Sequence, residues 1–194
     1  MRIKNILLAF IGAALLAACG GNDYSPKPQA YLRIDTPEQH YSPLDTLALP
    51  FLFEKNDAAS LTQKKNTGHE IWVDLTYPQW DGVVFLTYKR LLSPADLRGQ
   101  TDTSTRLLEK HYQFASGIDE QVFESDDHTV HAVKWHLKGK NVASTYQFYA
   151  TDSARHFLRG AVYINHAPNN DSLAPVLEYM HRDVDRLIES LHWR

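Results

Sequence analysis

Hydrophobic and polar residues alternate along this chain with two periods, one of two residues and one of three to four. His69 to Tyr77 shows the first, with Ile71, Val73, Leu75 and Tyr77 on one face and Trp72, Asp74 and Thr76 on the other. Such alternation predicts a half-buried strand. Pro78 to Gly82 then turns the chain and Val83 to Tyr88 returns, predicting an antiparallel hairpin. Further strands are expected at Thr129 to Leu137, Val142 to Ala150 and His156 to Ile164. Lys138-Gly139-Lys140-Asn141 links the first two in hairpin fashion, and Thr151 to Arg155 links the last two. Tyr31 to Asp35 predicts a strand ended by Pro37, and Leu49 to Phe53 another, confined by Pro50 to a sheet edge. Asp57 to Gly68 is polar and reads as an exposed loop.

The longer period marks two helices. Leu107, Leu108, His111, Tyr112 and Ala115 predict one over about Asp102 to Ala115. Leu173, Val176, Leu177, Met180, Val184, Leu187, Ile188 and Leu191 predict a C-terminal one. Asp171 or Ser172 is the expected cap, with Pro175 in the first turn, where its missing N–H costs little. His181, Arg182, Asp183, Asp185 and Arg186 fill much of the other face, so this helix should lie on a sheet with that face outward. The expected fold is α+β: a mostly antiparallel sheet of about six or seven strands with a C-terminal amphipathic helix and one central helix.

The N-terminus follows a different pattern. After Arg2 and Lys4, Ile6 to Ala18 is apolar over about 13 residues, short of the roughly 20 that span a membrane. It fits a secretory signal segment. Leu16-Ala17-Ala18-Cys19 resembles the lipobox of bacterial lipoproteins, and Cys19 is the one cysteine in the chain. That resemblance implies cleavage after Ala18, a diacylglycerol on the Cys19 thiol and acylation of the new amino group. A single acyl chain holds a protein only marginally, whereas several anchor it stably. Gly20 to Gln29, with Pro26 and Pro28, reads as a tether. The expected organisation is therefore a signal peptide over 1–18, a lipidated tether over 19–29 and one α+β domain over 30–194.

Charge narrows the partners. The whole chain carries −3, and loss of the two cationic signal residues leaves 18 Lys+Arg against 23 Asp+Glu. No basic run is present for nucleic acid. The expected partners are the membrane, through Cys19, and other envelope proteins, with the domain facing the periplasm from the outer or inner membrane.

Chemistry-bearing motifs are sparse. Asp152-Ser153-Ala154-Arg155-His156 holds the residue types of a hydrolase triad, but within one turn and without a Gly-x-Ser-x-Gly elbow. Asp and Ser are also common turn formers. His128, His131 and His136 stand at odd separations, which on a strand point to opposite faces, so no metal site is expected. Asp126-Asp127 reads as a solvated turn, and no Gly-rich phosphate loop occurs, so no cofactor is expected. Trp72, Tyr77, Trp80, Tyr88, Tyr146, Phe148, Tyr149, Phe157 and Tyr163 lie mostly on expected strands. Core packing accounts for most of them, and a share could serve an interface. The candidate partner contacts are Arg155, His156, Arg159 and Tyr149, around the Thr151-Asp152-Ser153 turn; catalytic residues are not assigned.

Several segments together resemble the gliding-motility lipoprotein GldD family of Bacteroidota. They are Tyr24 to Pro28, Tyr31 to Pro37, Trp72-Val73-Asp74, Leu86 to Lys89, Ala143 to Ser153, His156 to Tyr163, and Asn165, Pro168-Asn169 and Asp171 to Val176. Ala30 stands where the family has glycine. The resemblance implies a non-enzymatic accessory or assembly component of the gliding machinery, linked to type IX secretion. The competing expectations are a periplasmic small-molecule-binding lipoprotein, which needs an apolar cavity, and a hydrolase using Ser153 and His156.

Overall fold

The computed structural model of the chain describes residues 33–44 and 48–194. The expectations placed on the signal segment, Cys19 and the tether lie outside the described residues.

Among the described residues eleven strands and two α-helices follow in chain order: β1 (Tyr41–Pro43), β2 (Phe51–Leu52), β3 (Glu54–Asn56), β4 (Ser60–Asn66), β5 (Glu70–Tyr77), β6 (Gly82–Arg90), α1 (Pro94–Glu109), β7 (Gly117–Glu124), β8 (His131–Lys138), β9 (Tyr146–Thr151), β10 (His156–Ile164), α2 (Asn170–Glu189) and β11 (His192–Trp193). Seven of the strands form one antiparallel sheet in the order β4-β5-β6-β10-β9-β8-β7, and β1 pairs β3 while β11 pairs β2. The fold is α+β, as the periodicity predicts.

Register sorts the side chains into two faces. Ile71 opposes Tyr88, Tyr88 opposes Leu158, Leu158 opposes Ala150 and Ala150 opposes Ala132 across five strands. These residues and their period-two neighbours Val73, Leu75, Leu86, Val162 and Phe148 pack with Val176, Met180, Val184, Leu187 and Ile188 of α2 in the main core. The other face carries Trp135 and Leu137, which pack with Leu108 of α1 and Val142 in a smaller cluster. Thus α2 covers one face and α1 part of the other. Trp72 and Phe85 are left 44% and 42% exposed where α1 does not reach, whereas Tyr77, Tyr88, Phe148 and Phe157 are core residues.

Several expectations need correction. Asp57 to Gly68 contains strand β4, and Gly117 to Glu124, where the hydrophobic pattern predicts no element, is strand β7. Arg33 to Asp35 is not strand; Arg33 Nε instead donates to Asp35 Oδ1 at 2.6 Å in an exposed pair. The central helix begins eight residues before Asp102, where Ser93 Oγ accepts from the Asp96 N–H and Asp96 Oδ2 accepts from the Leu92 N–H. This reciprocal cap, with Pro94 in the first turn, fixes the start. The helix ends at Glu109, and Tyr112–Phe114 form a separate 3-10 turn. Asn169, not Asp171 or Ser172, sits at the α2 cap, so Pro175 falls two or three residues deeper than expected, beyond the first turn, and removes one helix donor. Val142 lies in a longer loop before β9 rather than in the strand.

One surface cluster ties the β4 edge to its neighbours. Glu70 accepts from Lys65 and Lys89, both at 2.6 Å, and from Trp72 Nε1 at 2.9 Å. The bonds from Lys65 and then Lys89 hold the Glu70 carboxyl at about 2, against an ordinary 4.5.

Candidate functional site

Because α2 lies over the central strands, the same face of β7 and β8 extends beyond it and leaves a polar groove. Side chains on β7, β8 and β9 that face the helix are Asp119, Gln121, Lys134, His136 and Tyr146. The α2 wall carries Glu178, His181, Arg182 and Asp185, which recur at helical spacing along its flank. Two adjoining depressions of about 300 and 350 Å³ share His136, Glu178 and His181. The second continues past Lys138, Lys140 and Thr145 toward the start of α2.

The groove floor is fixed by charge-assisted bonds. Lys134 Nζ and the Tyr146 hydroxyl both donate to Asp185 Oδ1, at 2.7 and 2.6 Å. Burial, and then the Asp185 carboxylate, push the Tyr146 phenol well above its usual range, so it stays a donor. Lys138 pairs with Asp119 at 2.6 Å and lowers that carboxyl. His181 Nε2 lies 2.9 Å from the Thr145 hydroxyl, and its ring meets His136 edge-on with centroids 4.8 Å apart.

Burial, then the neighbouring His136, push His181 down to about 3 from 6.5, with Asp185 opposing. A histidine held neutral in the fold but free to protonate when unfolded favours the native state fully above pH 6.5, and that advantage is lost as pH falls toward 3. The expected result in an NMR titration is a His181 ring that stays neutral through pH 5. Protonation of that ring near pH 6.5 would contradict this account of the groove.

Thr145 and His181 have the form of a nucleophile and base. The hydroxyl is buried, and among the described residues no carboxylate bonds the other ring nitrogen of His181. The arrangement is suited to holding shape and charge.

The residues singled out from the sequence divide between places. Tyr149 and Arg159 are direct cross-strand neighbours on the α1 face, where Arg159 Nη2 donates to Gln147 Oε1 at 2.7 Å. His156 lies on the opposite face, with Nδ1 2.9 Å from the Tyr88 hydroxyl and its ring stacked on Trp193. Arg155 and His156 share an open depression of about 490 Å³ with Asp127, His128, His192 and Arg194. The four candidates therefore do not form one surface.

Nor does the hydrolase triad assemble. Asp152 Oδ1 accepts the backbone N–H groups of Ala154, Arg155 and His156 at 2.8–2.9 Å. Burial raises the Asp152 carboxyl, but those three donors outweigh it and hold it below its usual range. Ser153 sits at φ +63° in the turn, and its N–H donates to Thr151 Oγ1. Asp152 Oδ1 is committed to the backbone and His156 Nδ1 to the Tyr88 hydroxyl, as in a turn held by its own side chain.

A second departure from expectation is Asp183, assigned to the outward face of α2 but only 2% exposed. It accepts from Gln39, Tyr41, Asn56 and Tyr77. The convergence of the groove residues is not legible in the sequence for a related reason: they come from β7, β8, β9 and α2. Only the Glu178/His181/Arg182/Asp185 flank is a local signal.

No curated protein and no solved structure matches the chain. The family described as gliding motility lipoprotein GldD matches residues 21–193. That span takes in every strand and helix described above. A match of this extent shows that the chain belongs to the GldD family of gliding motility lipoproteins.

Proposed function

We propose that this protein is a lipid-anchored, non-catalytic accessory or assembly component of a gliding machinery linked to type IX secretion in Bacteroidota. In this reading residues 1–18 are a cleaved signal peptide, Cys19 carries acyl chains such as palmitate, 20–29 is a tether, and the domain over 30–194 faces the periplasm. The observation that carries it is the family match, which begins two residues after Cys19 and runs nearly to the C-terminus. The domain then acts by docking on other envelope proteins. A small-molecule reading calls for an enclosed apolar cavity. The depressions beside α2 are open and lined by charged groups, which favours a polypeptide.

Cys19→Ser in the native bacterium is expected to abolish labelling with radioactive palmitate and to impair both colony spreading and export of type IX cargo. Continued palmitate labelling of that variant would overturn the anchor. Normal spreading and export in a strain lacking the whole chain would overturn the accessory role.

A further inference from the structure

The two edges of the seven-stranded sheet are built differently. Strand β4 is guarded: its register slips between Gln63 and Lys65, and Lys64 and Lys65 pair with Asp74 and Glu70. Bulges and lysines are the usual means by which a sheet edge refuses another strand. Strand β7 has neither. It pairs with β8 in unbroken register over all eight residues and contains no lysine, arginine or proline. Among the described residues nothing lies beyond it in the sheet order.

Its outward backbone groups can be identified. The Ser125 N–H donates to the Val130 carbonyl at 2.9 Å, in the register that continues Glu124 opposite His131. Hydrogen-bonded pairs recur at every second residue of an antiparallel ladder. Phe123, Gln121 and Asp119 therefore bond to β8, and Ile118, Glu120, Val122 and Glu124 turn their N–H and C=O outward. The Leu137 N–H to Thr145 carbonyl bond, on the other side of β8, obeys the same alternation.

Charge selects the occupant. Asp119, Glu120 and Glu124 line the strand, and within the fold each uses one carboxylate oxygen: Oδ2 toward Lys138, Oε2 toward Trp135, and Oε1 toward His128 and His131. A second copy of β7 would set carboxylates against carboxylates, which is destabilising in directly opposed positions. The lysines of β4 are already paired within their own sheet. Val122, 76% exposed at the middle of the edge, offers an apolar contact.

We infer that the β7 edge is a docking site for an extended, cationic segment of another polypeptide, which adds to the sheet as an eighth strand by backbone pairing. Its basic side chains meet Asp119, Glu120 and Glu124, and an apolar side chain covers Val122. Side chains on its helix-facing side border the groove beside α2. This rests on reading the domain as a docking module. The binding assay below needs neither motility nor secretion, so its failure is distinct from failure of the Cys19 test.

The test uses the full-length protein in detergent micelles and a fluorescent peptide as long as β7, with lysines placed opposite Asp119, Glu120 and Glu124 and valine opposite Val122. Two controls are the same peptide with alternate backbone nitrogens methylated and the same peptide with glutamate in place of every lysine. The lysine peptide is expected to bind in a salt-sensitive manner, with both controls at least about tenfold weaker. Amide exchange is expected to slow at residues 118, 120, 122 and 124. Val122→Pro removes an outward N–H without touching the β8 ladder, and is expected to weaken binding by about tenfold or more with unchanged melting. Should that variant fold poorly, Glu120→Lys with Glu124→Lys is expected to shift preference toward the glutamate peptide. Absence of binding, equal binding of either control, or protection confined to other strands would overturn the proposal. So would protection of the same amides that depends on protein concentration without peptide, which would make the occupant a second copy.

Discussion

Asp183→Ala is expected to lower the unfolding free energy of the domain by about 3–5 kcal/mol, read as a fall in denaturant midpoint with little change in slope. The carboxylate is 2% exposed, and no cation bonds it among the described residues. A buried charge of this kind persists only when hydrogen bonds replace its water. Here Oδ1 accepts from Gln39 Nε2 at 2.6 Å, Tyr41 at 2.8 Å and Asn56 Nδ2 at 3.0 Å, and Oδ2 accepts from Tyr77 at 2.8 Å. Burial, together with the Asp183 charge, raises both phenols well above their usual range, which keeps them as donors. Alanine leaves these donors facing an empty site, each costing about 1–3 kcal/mol unless it finds water or a new partner. Asp183→Asn preserves shape but presents an amide N–H to several donors, so an intermediate loss is expected. A loss below about 1 kcal/mol for the alanine variant would refute this account of the cluster.

Gly160→Ala ranks second in expected effect, at about 2–3 kcal/mol. Gly160 stands mid-strand in β10, directly opposite Phe148 on β9. A Cβ there would fall 2.0 Å from Phe148 Cε1 and 2.5 Å from Cζ. The ring is 1% exposed and packed in the main core, so it has nowhere to move without displacing its neighbours. Phe148→Leu in the Gly160→Ala background removes the clashing ring atoms. The double variant is therefore expected to lose less than the sum of the two single losses, by about 1 kcal/mol or more. Strict additivity would show that the close approach is not what requires glycine.

The fold was readable where burial is one-sided and regular. The β5–β6 hairpin and α2 carry strong period-two and helical patterns, and both stand close to where the pattern predicts. Strands β4 and β7 went unread because each is a sheet edge. Ser-Leu-Thr-Gln-Lys-Lys-Asn and Gly-Ile-Asp-Glu-Gln-Val-Phe-Glu bury too few side chains to leave an apolar rhythm. Neighbouring strands supply the order that local sequence does not encode. The α1 start had a legible signal in Ser93-Pro94-Ala95-Asp96, but only Ser104 and Leu108 of that helix are buried, so the apolar pattern pointed too far along. Asp183 looked like a surface residue because a carboxylate among charged neighbours usually is. Its donors come from 106 to 144 residues away, which no local window can show. The groove is dispersed in the same way, since Thr145 and His181 meet across 36 residues.

The cluster around Asp183 also has a mechanical meaning. Gln39 and Tyr41 lie near the start of the described domain, and both fasten that stretch to α2 through one carboxylate. Arg182 adds a bond to Gln39, and β1 leans on β3 through only three residue pairs. A tension transmitted along the chain from ahead of Arg33 reaches this latch before it reaches the seven-stranded sheet. Any force entering the domain through that end would load these side-chain bonds first, ahead of the strands that shape the groove.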